Sequence, residues 1–246
     1  MNLVQDVQQF QNFIDNVLPS LLPHEVYFVS LSARNKYLTE RERDFYGLGR
    51  TEMFARTLVR PGDWARTIRK LEGELATRLT KTGQLIPEKA LIVYVNINPS
   101  DALAAHFKYI NEVNHQLEEV TKATVRGKNP NYTPFTFAEK TLLNCFQVCT
   151  GQRTYLDLDI DTKEERYLSK VRSVLDSKNV SYFVVETHGG FHVLVKRETL
   201  NKSNVRLDLL VKELARESGK EIMFNKNAMI PMPGTKQAGH LVKLVL

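Results

Sequence analysis

Residues 154–161 read Thr-Tyr-Leu-Asp-Leu-Asp-Ile-Asp, three carboxylates alternating with three apolar side chains. Alternate residues of a strand share a face. The alternation predicts Asp157, Asp159 and Asp161 on one side and Leu156, Leu158 and Ile160 on the other. Three like charges in a row repel one another and suit a sheet poorly. Two settings tolerate them: an acidic, solvent-facing edge strand, or a divalent cation. A hard cation such as Mg²⁺ takes carboxylate oxygens and keeps water and substrate phosphates as its other ligands.

A second segment carries cationic chemistry. Residues 181–186 and 191–196 are rich in β-branched and aromatic residues and flank Thr187-His188-Gly189-Gly190, so they predict a hairpin with glycines free to take positive φ. His192, Leu194 and Lys196 fall on one face, and Phe191, Val193 and Val195 on the other. Histidine and lysine beside a glycine turn suit a phosphate, because both donate and turn amides can form an anion-binding concavity. The alternative is a histidine at the end of an ordinary hairpin. A third segment, residues 219–243, predicts a strand and then a rigid Pro-Met-Pro-Gly-Thr loop carrying Lys236 and His240. Proline fixes such a loop, and glycine lets it approach a ligand.

The order of these parts resembles the archaeo-eukaryotic primase superfamily, including the primase-polymerases of plasmids and phages. Asp157-Leu158-Asp159 is similar to the family's first motif, Asp-x-Asp on an apolar strand. Gly190-Phe191-His192, after Thr187-His188-Gly189, resembles its second, a small residue and x-His entering a strand. Phe224-Asn225, followed by residues 231–235, occupies the place of its third, an apolar residue and an acid. The resemblance spans about 90 residues, 154–243. It implies template-directed nucleotidyl transfer with Mg²⁺ or Mn²⁺, held by Asp157 and Asp159 with Asp161 as a helper. It implies His192 as a nucleotide-phosphate contact. Thr187, His188, Gly190, Lys196, Thr235, Lys236 and His240 are further nucleotide or template candidates. The implied partners are nucleoside triphosphates and a single-stranded DNA template and primer, with a replicative helicase as a candidate.

Asn225 departs from the pattern, which has an acid there. An amide oxygen can ligate Mg²⁺ but brings no charge, and hard cations favour carboxylates. Four explanations stand: an engineered inactivating substitution, natural chemistry weakened at this position, a carboxylate supplied by Asp161 or Glu221, or a different register.

These motifs need a fold to hold them. The chain has 246 residues, 42% hydrophobic and 25% charged, which suits a soluble globular protein with a substantial core. No apolar run reaches membrane-spanning length, and the first residues lack a signal-peptide pattern, so a cytoplasmic or host-cell protein is expected. A net charge of +6 and a pI of about 9.2 fit a polyanionic partner. Arg34, Lys36 and eight further cations crowd residues 34–70, diluted by acids and interleaved with aromatics. Cys145 and Cys149 lie one helical turn apart, a poor disulfide geometry, and are expected to be reduced and buried.

Apolar periodicity predicts helices over residues 5–18, 63–81, 102–122, 137–148, 163–178 and 202–218. Strands are expected over 25–32, 90–96 and 241–246 besides those above. Residues 34–48 read as loop or short helix, and 122–136 as an exposed loop. Asn96-Ile97-Asn98 reads as a strand-end cap. The fold class expected is α+β, in one primase-polymerase-like domain. Its N-terminal α/β module covers 1–150, and a motif-bearing module with RNA-recognition-motif-like β-α-β-β-α-β order covers 151–246.

Nucleotidyl transfer is the leading reading. A catalytically inactive primase-like module that binds nucleotide or nucleic acid is the second, favoured by Asn225. A metal nuclease is the third, since alternating carboxylates also serve hydrolysis. A rolling-circle nickase would need His-x-His, which is not present, and no sugar-nucleotide unit precedes Asp-x-Asp to suggest a glycosyltransferase.

Overall fold

Val26, Tyr27, Phe28, Val29 and Leu31 favour the strand β1 (Glu25–Arg34), the longest among the described residues, with nine of its ten residues buried. The computed structural model that contains it describes residues 2–77, 79, 80, 82–219, 222–225 and 229–245. Helix α1 (Val7–Asn12), capped by the Asp6 carboxylate, precedes β1 and runs on as a wider turn over Phe13–Val17. After β1 come a 3₁₀ turn (Asn35–Tyr37), α2 (Glu40–Tyr46), β2 (Thr51–Val59), α3 (Trp64–Thr77), β3 (Leu91–Asn96) and β4 (Ser100–Asp101). Helices α4 (Ala102–Val125), α5 (Thr133–Thr136) and α6 (Ala138–Val148) close the first half.

The second half opens with β5 (Tyr155–Ile160), α7 (Glu165–Ser177), β6 (Tyr182–Glu186), β7 (Phe191–Lys196), α8 (Arg197–Lys202), α9 (Leu207–Ser218) and β8 (Ile222–Asn225). Short strands β9 (Met229–Pro231), β10 (Lys236–Gln237), β11 (His240–Leu241) and β12 (Lys243–Val245) follow. The architecture is mixed α+β, with antiparallel sheets.

One sheet runs β2-β1-β3-β9, with β4 also paired to β1. A second runs β12-β6-β7-β5-β8, which puts the acidic strand between the hairpin strand β7 and the late strand β8, and β10 pairs with β11 in a third. Leu158, Ile160, Val193 and Val195 of this second sheet pack on Leu168, Val171 and Leu175 of α7 and Leu214 of α9. The opposite face joins a larger apolar cluster, in which Tyr155, Val185 and Leu194 meet Val29, Leu31 and Val95 of the first sheet. Burial on both faces removes most of the freedom of register, since a one-residue slip would turn the aspartates into the helix-packed core.

Several elements differ from the sequence reading. Residues 51–59, read only as part of a basic region, form β2, whose half-exposed alternation hides it. The helix expected over 202–218 starts only at Leu207, as α9, and a separate short helix, α8, ends at Lys202, because Ser203 closes onto Leu200 and Arg206 is not helical. Pro231 lies in β9 rather than in a loop. It faces Tyr94 on the edge of the first sheet, where a missing N–H is tolerated. The final strand is split between β11 and β12. Cys145 is buried but Cys149 is only half-buried, and both are free thiols. Asn98 does hold a strand end: its amide bonds both backbone groups of Tyr155, at 2.8 and 3.0 Å.

Candidate active-site cleft

Strand pairing assembles the motif residues. On β5, Asp157 is opposite Leu194 of β7 and Asn225 of β8, while Asp159 is opposite His192 and Met223. Directly opposed residues of an antiparallel pair have Cβ atoms about 4.5–5.5 Å apart and share a face. Asp157, Asp159, His192 and Asn225 therefore form one polar patch in the middle of an otherwise apolar sheet. Asp161 follows the end of β5 and is exposed, so it extends the patch at the cleft mouth rather than on the strand.

The two aspartates are not equivalent. Asp157 is 1% exposed, and both its oxygens lie 3.1 Å from Nδ1 of His192, itself 7% exposed. His192 Nε2 lies 3.9 Å from Asp159 Oδ1. Burial disfavours the charged imidazole, but the Asp157 carboxylate outweighs it, and His192 is raised from 6.5 to about 9. The histidine is thus a buried imidazolium at neutral pH, set beside the aspartates in the same sheet. Burial pushes the Asp159 carboxyl up, countered by His192 and reinforced by Asp157 and Asp161.

The first half of the chain supplies the other wall. Arg34, Lys36 and Tyr94 line a cavity of about 140 Å³ with Asp159, Asp161 and His192. Arg34 Nη1 donates to the Tyr94 hydroxyl at 3.1 Å, and its Nε is buried without a hydrogen-bond partner. Desolvation lowers the Lys36 ammonium, helped by Arg34 and opposed by Asp161 and Asp159. Sequence reasoning found no motif in this half. Arg34 and Lys36 were visible only as members of a basic cluster, because their approach to β5 depends on contacts more than 120 residues apart in the chain.

Thr187 and Gly190 also line this cleft, and they and the remaining candidates have local bonds as well. Thr187 is buried, and its hydroxyl both donates to the Gly190 carbonyl and accepts from the Gly190 amide, so it closes the hairpin turn. Neither glycine of that turn has positive φ. Gly190 is required for another reason: a Cβ there would press into the Ile160 carbonyl and sit 2.7 Å from the Thr162 amide nitrogen. His188 packs edge-on against Tyr37 at 5.3 Å and near His240, while its amide bonds Gln237. His240 joins Lys163 and Glu186 at the outer end of the sheet, and burial followed by the Lys163 charge lowers its pKa.

Lys196 lies over the Phe183 ring at the far end of β7, away from the cleft. Lys236 pairs with Glu88 at 3.3 Å in a separate crevice. Thr235 is 1% exposed and bonds the Met232 carbonyl. Gly234, with φ +82°, is covered by the chain start, since a Cβ would lie 2.5 Å from the Asp6 carbonyl oxygen. Within the Pro-Met-Pro-Gly-Thr segment, Met232 and Thr235 are buried and Gly234 packs under α1, while Pro231 lines the cleft. Glu221, a candidate replacement acid, lies outside the described residues.

Asn225 stands at the junction of three cavities. It borders the 140 Å³ cleft, a cavity of about 330 Å³ beyond Asp157, and a more apolar one of about 640 Å³ floored by Val211, Ile222 and Phe224. Its amide nitrogen donates to the Met229 carbonyl at 3.3 Å.

The donor set is hard and incomplete. Among the described residues no three His, Cys, Asp or Glu side chains gather as a preformed metal site. Asp157 is engaged by His192, Asp159 faces the cleft, and Asn225 adds an uncharged oxygen donor. Such a set fits Mg²⁺ or Mn²⁺ that keeps water and phosphate oxygens for most of its shell, and it does not fit an all-protein metal cage. The chain matches no family model, no curated protein and no solved structure.

Proposed function

We propose that this protein is a divalent-metal-dependent nucleotidyltransferase of the primase-polymerase type. One observation carries the reading: strand register sets Asp157, Asp159, His192 and Asn225 on one face, opening on a cleft whose other wall bears Arg34 and Lys36. The strand order β6-β7-β5-β8, reached through β-α-β-β-α-β connections, is also the order expected of an RNA-recognition-motif-like unit.

In this reading the His192 imidazolium, Arg34 and Lys36 bind the triphosphate and stabilise charge that develops on the leaving pyrophosphate. Asp159, with Asp157 behind it and the Asn225 amide beside it, would hold the cation. When bound, that cation lowers the pKa of an attacking 3′-hydroxyl and neutralises phosphate charge. The 640 Å³ cavity is within the usual size of ligand pockets and has an apolar floor suited to a nucleoside.

The Asp157–His192 pair and Asn225 favour a second reading, a module that binds nucleotide without joining it to a chain. The test is incubation with labelled nucleotides, Mn²⁺ or Mg²⁺ and a primed template. Incorporation lost in Asp159→Asn supports the transferase. Nucleotide binding with no incorporation under any metal supports the binding module.

A further inference from the structure

The 330 Å³ cavity lies on the other side of Asn225 from the His192 cleft. Arg153 and Arg197 line it together with Thr150, Asn98, Asp157 and Asn225. We propose that it seats the phosphodiester backbone of a single nucleic-acid strand. This rests on the transferase reading for its purpose, but not for its test.

Sheet topology brings the two arginines together. Arg153 stands just before β5 and Arg197 just after β7. These strands are antiparallel neighbours, with Tyr155 opposite Lys196, and the Arg197 amide donates to the Thr154 carbonyl at 2.9 Å. Both arginines are thus delivered to one end of the sheet, Arg153 four residues before Asp157 and Arg197 three after Leu194.

Neither arginine is neutralised. Lys163, Lys170, Lys202 and Arg206 each pair with an acid, but Arg153 and Arg197 have no ion pair among the described residues. The acid that borders their cavity, Asp157, already faces the His192 cation. Arg197 Nε is also buried without a hydrogen-bond partner. An unmade hydrogen bond on a buried charged donor is costly, and a guanidinium fork matches phosphate oxygens in pairs. A phosphate in the cavity would satisfy both. If the His192 cleft takes a triphosphate, as the transferase reading requires, a second phosphate seat beside Asn225 suits a strand being copied or extended better than a second free nucleotide.

The experiment measures anisotropy of a fluorescein-labelled oligothymidylate over a salt series, beside calorimetry with a deoxynucleoside triphosphate and Mg²⁺. It uses the full chain, Arg153→Gln, Arg197→Gln, the double variant and His192→Ala, with folding read by thermal melting. The double variant should bind the oligonucleotide at least about tenfold more weakly. Its log–log salt slope should shrink by about 1.4, from roughly 0.7 per phosphate contact. Triphosphate affinity should stay unchanged in the double variant and fall in His192→Ala. Arg153→Gln, at an exposed position, gives the same direction if Arg197→Gln unfolds.

An unaltered oligonucleotide affinity and slope in the double variant overturns the proposal, as does a parent chain that binds no oligonucleotide. Loss confined to triphosphate binding also overturns it and makes the cavity a nucleotide site. Arginine-dependent oligonucleotide binding without nucleotide incorporation keeps this proposal and rejects the transferase reading.

Discussion

His192 Nδ1 lies 3.1 Å from both carboxylate oxygens of Asp157, so these two buried side chains act as one ion pair rather than as two separate ligands. The pair sets the electrostatics of the patch. It neutralises one aspartate of the Asp-x-Asp strand and leaves Asp159 as the carboxylate presented to the cleft.

The ion pair predicts a pH dependence. His192 is raised from 6.5 to about 9 in the folded chain. A group raised on folding stabilises fully below its unfolded pKa, and that stability is lost as pH rises through the folded value. Denaturant unfolding at stepped pH should therefore show stability falling between about pH 6.5 and 9, with a slope approaching about 1.4 kcal/mol per unit for one proton. His192→Gln should flatten this part of the curve. An identical slope in that variant would assign the titration to another group.

Asn225→Asp should destabilise the metal-free protein. It sets a second carboxylate opposite Asp157 and removes the amide donor to Met229. Two unit charges about 5 Å apart repel by roughly 3 kcal/mol at an effective dielectric constant of 20, and His192 offsets part of this. The melting temperature should fall without metal and recover with Mg²⁺ or Mn²⁺. The parent should respond little to Mg²⁺ alone. A variant that melts like the parent and ignores metal would separate Asn225 from any cation site.

Arg34→Ala should weaken triphosphate binding about tenfold, equivalent to about 1.4 kcal/mol, a size expected for a charge-assisted hydrogen bond. Arg34→Lys should recover part of it. Calorimetry with a nucleoside triphosphate and Mg²⁺ checks this, and equal affinity in Arg34→Ala would remove the first-half wall from the site.

Gly190→Ala should cost at least about 1–3 kcal/mol, because the added methyl meets backbone at Ile160 and Thr162 rather than a movable side chain. Urea denaturation reads the cost. A neutral result would mean that the turn can shift without strain.

The local half of this site was legible in the sequence. Period-two alternation placed Leu156, Leu158 and Ile160 against Asp157 and Asp159, and the hairpin put His192 on a face with Leu194, because both signals are contained within a few residues. The long-range half was not. The resemblance set Phe224-Asn225 at the third motif, but nothing near Phe224 gives the pairing of β8 with a strand more than 60 residues earlier, so the Asn225–Asp157 register came with the fold. The same holds for Arg34, Arg153 and Arg197, ordinary cations until sheet order gathers them. The hydroxyl candidates have local bonds that their sequence surroundings already suggest. Thr187 and Thr235 lie in turns, where short side chains bond the nearby backbone, and both do so here. Pro231 reads as a loop residue by itself, and its place in β9 follows from the edge position that excuses it.

The role proposed for the face bearing Asp157, Asp159, His192 and Asn225 is nucleotide transfer. Primer extension with labelled nucleotides in Mn²⁺ and Mg²⁺, comparing the parent chain with Asn225→Asp and Asp159→Asn, tests it most directly. The parent should extend slowly and only with metal, Asn225→Asp faster, and Asp159→Asn not at all. No extension by either of the first two, or extension that survives Asp159→Asn, would contradict it.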